Sequence, residues 1–259
     1  MQKFSPDGSF SLVLSGGGAL GIAHLGVLHD MESRGMVPAE VVGTSMGGII
    51  AACLAIGMSE REIYGKIEAF GAVTKWMKLS LSGNAIVEHS KIAKILAGIF
   101  GDREMSDTTL ALKLIATDLR TGHKRVFGVT DRVLIRDAVL ATMAIPGIFS
   151  EKEIEGRVYG DGFLCENLGI TQAAYRDILA VDVLGRGSFG SQMPDNLLKS
   201  ANVLEMFERS MRILIYNQTQ TNLRHSDANI LLIEPDTSAF KTFHFHRAAE
   251  IRAKGLGLL

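Results

Sequence analysis

The chain has 259 residues, 47% of them apolar and 21% charged, enough for one domain with a substantial core and ordinary for a globular protein. Its net charge of −1 excludes the basic footprint of a nucleic-acid binder. Two cysteines, Cys53 and Cys165, are too few for a disulfide framework and have no metal-binding spacing, so both read as small buried hydrophobes.

Residues 1–9 are short and polar, with no apolar signal core, and no stretch of about 18 or more apolar residues offers a membrane span. A cytoplasmic location is the expectation, with export independent of such a signal left open. Residues 10–14 read as a buried strand that runs into Gly16-Gly17-Gly18-Ala19-Leu20-Gly21. A helix pattern follows over 22–34, stopped by Gly35 and barred from resuming by Pro38. A second strand over 40–44 completes a right-handed, parallel βαβ unit. It ends in Gly43-Thr44-Ser45-Met46-Gly47, after which the apolar run 49–56 continues as a helix.

Ser59-Glu60-Arg61-Glu62 is a capping box that starts a helix reaching about residue 70. Residues 73–79 mix Trp76 with Lys75 and Lys78. They read as a helix end packing its apolar side, in preference to a lid that touches lipid. Further on the pattern predicts a helix over 92–100, a central strand over 110–119, and a strand over 124–127 paired to it through Thr121-Gly122. Next come a short helix over 136–143, one strand over 153–159 leading to Gly160-Asp161-Gly162, and another strand over 178–183. A long helix over 197–223, a strand over 228–233 and a helix over 248–255 close the chain. His244 and His246 alternate with Phe243 and Phe245 as on one face of an extended segment. Strands that are nearly all apolar, alternating with helices, imply a parallel sheet covered on both faces, and no linker or repeat divides residues 1–259.

Two chemistries compete for the glycine loop. Gly16, Gly18 and Gly21 match G-x-G-x-x-G after a strand and before a helix, the context for a dinucleotide. An acidic residue should then sit at the tip of the second strand to hold a ribose, but that tip is Gly43-Thr44-Ser45 and Glu40 precedes it. The alternative treats Ser45 as a nucleophile on a strained strand-to-helix turn. Neighbouring strand tips lie roughly 5 Å apart, so the amides of Gly17 and Gly18 converge on an oxyanion formed at a carbonyl attacked by Ser45. Ser45 needs a proton acceptor. Seven histidines are available, yet only two strands precede Ser45, too few for the usual triad scaffold. Asp161 and Asp118, each ending a strand, are both candidates for the base, with Asp182 a weaker third.

Five motifs then carry a resemblance. Gly16-Gly17-Gly18-x-x-Gly21, Gly43-Thr44-Ser45-Met46-Gly47, Ala116-Thr117-Asp118-Leu119-x-Thr121-Gly122, Ala144-Ile145-Pro146-Gly147 and Gly160-Asp161-Gly162 stand in the order seen in patatin-like phospholipases, over residues 10–185. This resemblance implies a three-layer α/β/α fold around a mainly parallel sheet. It also implies hydrolysis of lipid acyl esters, as by a phospholipase A, lysophospholipase or esterase, through a Ser–Asp dyad without histidine. Carried over by position, Ser45 is the nucleophile, Asp161 the base, and Gly16, Gly17 and Gly18 form the oxyanion hole. No metal or organic cofactor is implied; the partner is a lipid or other acyl ester, and a transient membrane-surface contact is compatible with that. Leu20 stands where the family often has a basic residue, and Asp161-Gly162-Phe163 and Asn167-Leu168-Gly169 depart from Asp-Gly-Gly and Asn-x-Pro. An acyltransferase or thioesterase with the same dyad, or a catalytically silent lipid-binding regulator, are the competing readings.

Overall fold

The structure is a computed structural model that describes residues 8–74, 89–190 and 200–259. Its strands are β1 (Ser11–Leu14), β2 (Glu40–Thr44), β3 (Ala111–Asp118), β4 (Lys124–Phe127), β5 (Lys152–Ile154), β6 (Arg157–Asp161), β7 (Asp177–Val181) and β8 (Asn229–Ile233). Its α-helices are α1 (Ala23–Ser33), α2 (Ser45–Ala55), α3 (Glu60–Thr74), α4 (His89–Phe100), α5 (Ile135–Thr142), α6 (Ser200–Arg224) and α7 (Ala248–Ala253). All the strands join one sheet in the order β5-β6-β3-β2-β1-β7-β8, with β4 beside β3. The run from β3 to β8 is parallel, and β4, β5 and β6 are antiparallel additions at the β3 edge.

Period-two alternation divides the strand residues between two apolar layers. Leu12, Leu14, Val41, Leu112, Leu114, Leu179 and Val181 join the larger core with residues from α1 to α5 and α7. Val13, Val42, Ile115, Ile178 and Ala180 point the other way, onto Leu168, Ile170 and, from α6, Leu223. Side chains thus cover the sheet on both faces, the arrangement a parallel sheet requires.

The expected elements are present, with three differences. The stretch expected to be one strand over 153–159 is a hairpin, because Glu155 (φ 52°) and Gly156 (φ 74°) both adopt left-handed backbone and turn β5 back into β6. The helix expected from residue 22 is preceded by a 3-10 turn, Gly18–Ile22. His244 and His246 belong to no extended segment; the chain turns there into a 3-10 helix, Phe245–Arg247, with Phe245 buried. The capping box holds as expected, with Ser59 N–H donating to Glu62 Oε2 at 2.9 Å. Cys53 is buried, its thiol pushed up to about 12 by that burial, while Cys165 is half-exposed because it lies on a surface loop after β6. The lid question over 73–79 lies mostly outside the described residues. Among them, no helix is long and apolar enough to cross a membrane.

Candidate active site

Ser45 is the first residue of α2, entered directly from β2. Thr44 is extended (φ −126°, ψ 135°) and Ser45 is left-handed (φ 54°). A non-glycine residue held there costs on the order of 1–3 kcal/mol, so its surroundings must impose it. Thr142, at the end of α5, does so: its Oγ1 accepts from Ser45 N–H at 2.9 Å while its hydroxyl donates to Ile115 O in β3. The flanking glycines are required by crowding. A methyl group on Gly47 would lie 2.4 Å from Ser15 O, and one on Gly43 would lie 2.6 Å from Gly47 O.

The glycine loop crosses the end of β1 beside this turn. A methyl group on Gly16 would meet Asn167 Oδ1 at 2.6 Å and Ser45 Cβ at 3.0 Å. Its amide donates to Asn167 O at 3.3 Å. This divides the three amides expected for the hole. Gly16 is committed within the fold, whereas the N–H groups of Gly17 and Gly18 have no hydrogen-bond partner among the described residues. Gly18 is left-handed (φ 57°) and opens the 3-10 turn, whose first amides carry partial positive charge.

Asp161 ends β6, where pairing with Ala116 brings it beside the carboxyl end of β3. Its own amide donates to Ala144 O at 2.8 Å, and Thr117 Oγ1 donates to its carbonyl at 2.9 Å, so the backbone is fixed from two sides. Gly162 then packs against Ile115 O and Thr44 Cγ2, too closely for a side chain. The carboxyl group is fully buried. Oδ1 accepts from Phe163 N–H at 3.0 Å, and Oδ2 has no partner at ordinary hydrogen-bond distance. Burial raises its pKa to about 7, against smaller downward pulls from the Phe163 amide and the Ser45 hydroxyl.

The competing bases have other duties. Asp118 Oδ1 accepts from the amides of Arg120 and Thr121 at 2.9 and 3.1 Å. Burial pushes its carboxyl up, but those bonds and Arg157 outweigh it and hold the group below its ordinary value. Asp182 follows β7 and accepts from Leu184 N–H at 3.0 Å. Burial raises it also to about 7, against smaller downward pulls from the Leu184 amide and the Ser15 hydroxyl, and its Oδ2 has no hydrogen-bond partner among the described residues. His24 is buried, with Nε2 on Ser15 O at 2.8 Å, and burial lowers it to about 4. His24 therefore supports Ser15. Leu20 is buried, and Phe163 packs against the main core.

Thr142 and Asn167 are the residues at this site that sequence reasoning missed as partners. Asn167 was visible only as the remnant of Asn-x-Pro, and nothing in the sequence around Thr142 marks it as the support of Ser45.

The sequence matches the family model described as patatin-like phospholipase over residues 12–174. An NTE family protein of Mycobacterium tuberculosis is 28% identical over 165 residues, which cover 63% of this chain and 45% of that protein. Lysophospholipase NTE1 of Saccharomyces cerevisiae is 30% identical over 186 residues, 68% of this chain and 11% of the yeast protein. The chain thus spans less than half the length of these curated relatives. Among solved structures, VipD from Legionella pneumophila superposes with a TM-score of 0.49 at 15% identity, covering 95% of this chain and 67% of that one.

Proposed function

As a member of the patatin-like phospholipase family, this chain is one for which we propose a serine-dependent acyl hydrolase acting on lipid esters, with residues 1–259 as one catalytic unit. Ser45 is the nucleophile and Asp161 the base. The observation that carries this reading is a pairing: a serine in left-handed backbone at the head of a helix, and a fully buried carboxyl group that has one oxygen without a partner and whose pKa the Ser45 hydroxyl pulls down.

In the first half-reaction Ser45 Oγ bonds to the ester carbonyl carbon as its proton passes to Asp161. The carbonyl oxygen becomes an oxyanion facing the free amides of Gly17 and Gly18, donors that contribute about 3–4 kcal/mol each in comparable sites. The tetrahedral species collapses, the C–O bond to the alcohol breaks, and that alcohol leaves with the proton from Asp161. Water then attacks the acyl-enzyme, gives a proton to Asp161, and the fatty acid departs as Ser45 recovers its own. A base of pKa about 7 suits this exchange at neutral pH, being ionised enough to accept and basic enough to matter. An aspartate at the ordinary value of about 3.9 would be a poor acceptor.

Reaction of the full chain with a fluorophosphonate probe tests the reading. One equivalent bound at Ser45, lost in Ser45→Ala, supports it; a silent lipid-binding protein stays unlabelled. Turnover of a lysophospholipid with and without an added alcohol then separates hydrolysis from acyl transfer.

A further inference from the structure

Three consecutive glycines lose more backbone freedom on ordering than any other tripeptide, about 1–2 kcal/mol or more per residue. Oxyanion donors act only when already in place. The loop must therefore be held by its neighbours, and each glycine has a different one. Gly16 lies against Asn167, Gly17 against Val183 Cγ2, and Gly18 against Thr242.

The third contact comes from beyond the region matched to the family. Thr242 O accepts from Ala19 N–H at 2.8 Å, and a methyl group on Gly18 would lie 2.6 Å from both Cγ2 and O of Thr242. Thr242 is itself held from α6. Its hydroxyl donates to Glu208 Oε1, Arg212 Nη2 donates to the hydroxyl oxygen at 3.4 Å, and Arg212 pairs with Glu208 at 2.9 Å. The Arg212 side chain is only 12% exposed, so this pair is better shielded from water than a surface ion pair. Further along α6, Gln218 donates to Cys165 O and Asn222 to Glu166 Oε1 at 3.4 Å. Cys165 and Glu166 lie in the loop that follows Asp161. One helix thus grips the supports of both halves of the site.

Resting on the acyl-hydrolase reading, we propose that Thr242, fixed by Glu208 and Arg212, is a positioning residue that sets the Gly17 and Gly18 amides relative to Ser45. Helix α6 is the spacer that relates that loop to the loop of Asp161.

The test uses the full chain, with Thr242→Val to remove the hydroxyl at constant shape and Thr242→Ser to restore it. An ångström of misplacement in a catalytic group costs up to about 100-fold, so kcat on a p-nitrophenyl ester is expected to fall about 10-fold in Thr242→Val. KM should stay within about twofold, since the loss is in the transition state. Thr242→Ser recovers kcat. Glu208→Gln lowers kcat similarly, and the double variant Glu208→Gln/Thr242→Val is no worse than the poorer single, because both act through one contact. Amide exchange in peptides spanning residues 15–22 accelerates in Thr242→Val at unchanged Tm. Unchanged kcat and exchange, or losses at positions 208 and 242 that multiply, overturn the proposal while the wild type remains active. A wild type that neither turns over ester nor reacts with fluorophosphonate removes the acyl-hydrolase reading and this proposal together.

Discussion

Two buried acids at opposite ends of the sheet are treated in opposite ways. Glu40, at the amino end of β2, is 2% exposed and fully partnered. Its Oε2 accepts from Ser11 Oγ at 2.6 Å and Ala174 N–H at 2.8 Å, and Lys113 Nζ sits 2.7 Å from Oε1. Asp161, near the carboxyl end of β3, is more deeply buried and has one oxygen unbonded, with no cation paired to it among the described residues. Burying a charge without a partner is costly, so folds compensate acids that only serve architecture. The uncompensated one keeps its free energy as proton affinity. Asp182 is equally buried and also has an unbonded Oδ2, so what sets Asp161 apart is that its carboxyl group feels the Ser45 hydroxyl.

Removing the reactive end breaks the comparison most sharply. Ser45→Ala and Asp161→Asn are each expected to lower ester turnover by about 1,000-fold or more, since members of a nucleophile–base pair act as a unit. Circular dichroism should remain that of the wild type. A residual rate within about 10-fold in either variant would remove that residue from the dyad.

Stability should move the other way at Asp161. Its folded pKa of about 7 lies above the ordinary 3.8, so the folded state holds a proton that the unfolded chain releases between those values. Stability is therefore lost as pH rises through that window, by about 4 kcal/mol at most once pH exceeds 7. Asp161→Asn removes that loss, so urea unfolding at pH 8 should show the variant gaining on the wild type, with the gain gone at pH 4. In the wild type kcat should rise with pH and level off above about 7, the ionised carboxylate being the working form. Asp182 is raised to about the same value, so the profile is repeated in Asp182→Asn, where the limb due to Asp161 should persist. Activity that stays flat down to pH 4 contradicts an elevated base.

At the amino end the mirror experiment is Lys113→Met. It leaves the Glu40 carboxylate buried beside neutral partners only and should cost about 3 kcal/mol of stability. Activity per folded molecule should not change, because the Lys113 ammonium sits beside Glu40, at the opposite end of β2 from Ser45. A specific loss of kcat there would mean the two ends are coupled and the comparison is false.

The contrast also explains what the sequence made legible. Strands β2 and β4 could be bounded from pattern because turn residues flank them, Pro38 before β2 and Gly122 and Gly128 on either side of β4, and the loops at Gly16, Ser45 and Asp161 carry motifs whose glycines are dictated by contacts under 3 Å. The β5–β6 hairpin was hidden because Glu155-Gly156 is a weak turn signal, and only its two left-handed residues create the reversal. Asp182 read as a weaker third base, and its Oδ1 accepts from the Leu184 amide. Thr142 and Thr242 could not be singled out: each acts through hydrogen bonds across a long separation in sequence, which no local pattern records.

The smallest effect expected is at the histidines, and it bears on the identity of the base. A triad needs an imidazole that is free to take the serine proton and then give it up near neutral pH. His24 has Nε2 on Ser15 O, and burial holds it at about 4, so it is a strut. His225 bonds Thr221 O at 2.8 Å at the end of α6, and His246 stacks edge-on with His244 at 5.3 Å between ring centres. His225→Ala and His246→Ala should each leave kcat/KM for a p-nitrophenyl ester within about twofold of wild type, as surface substitutions do when they touch no reacting group. A fall beyond about 10-fold in either variant, with Ser45 still labelled by fluorophosphonate, would make that histidine the proton acceptor. Asp161 would then share the role of Glu40, an acid buried for support, and the distinction between the two ends of the sheet would vanish.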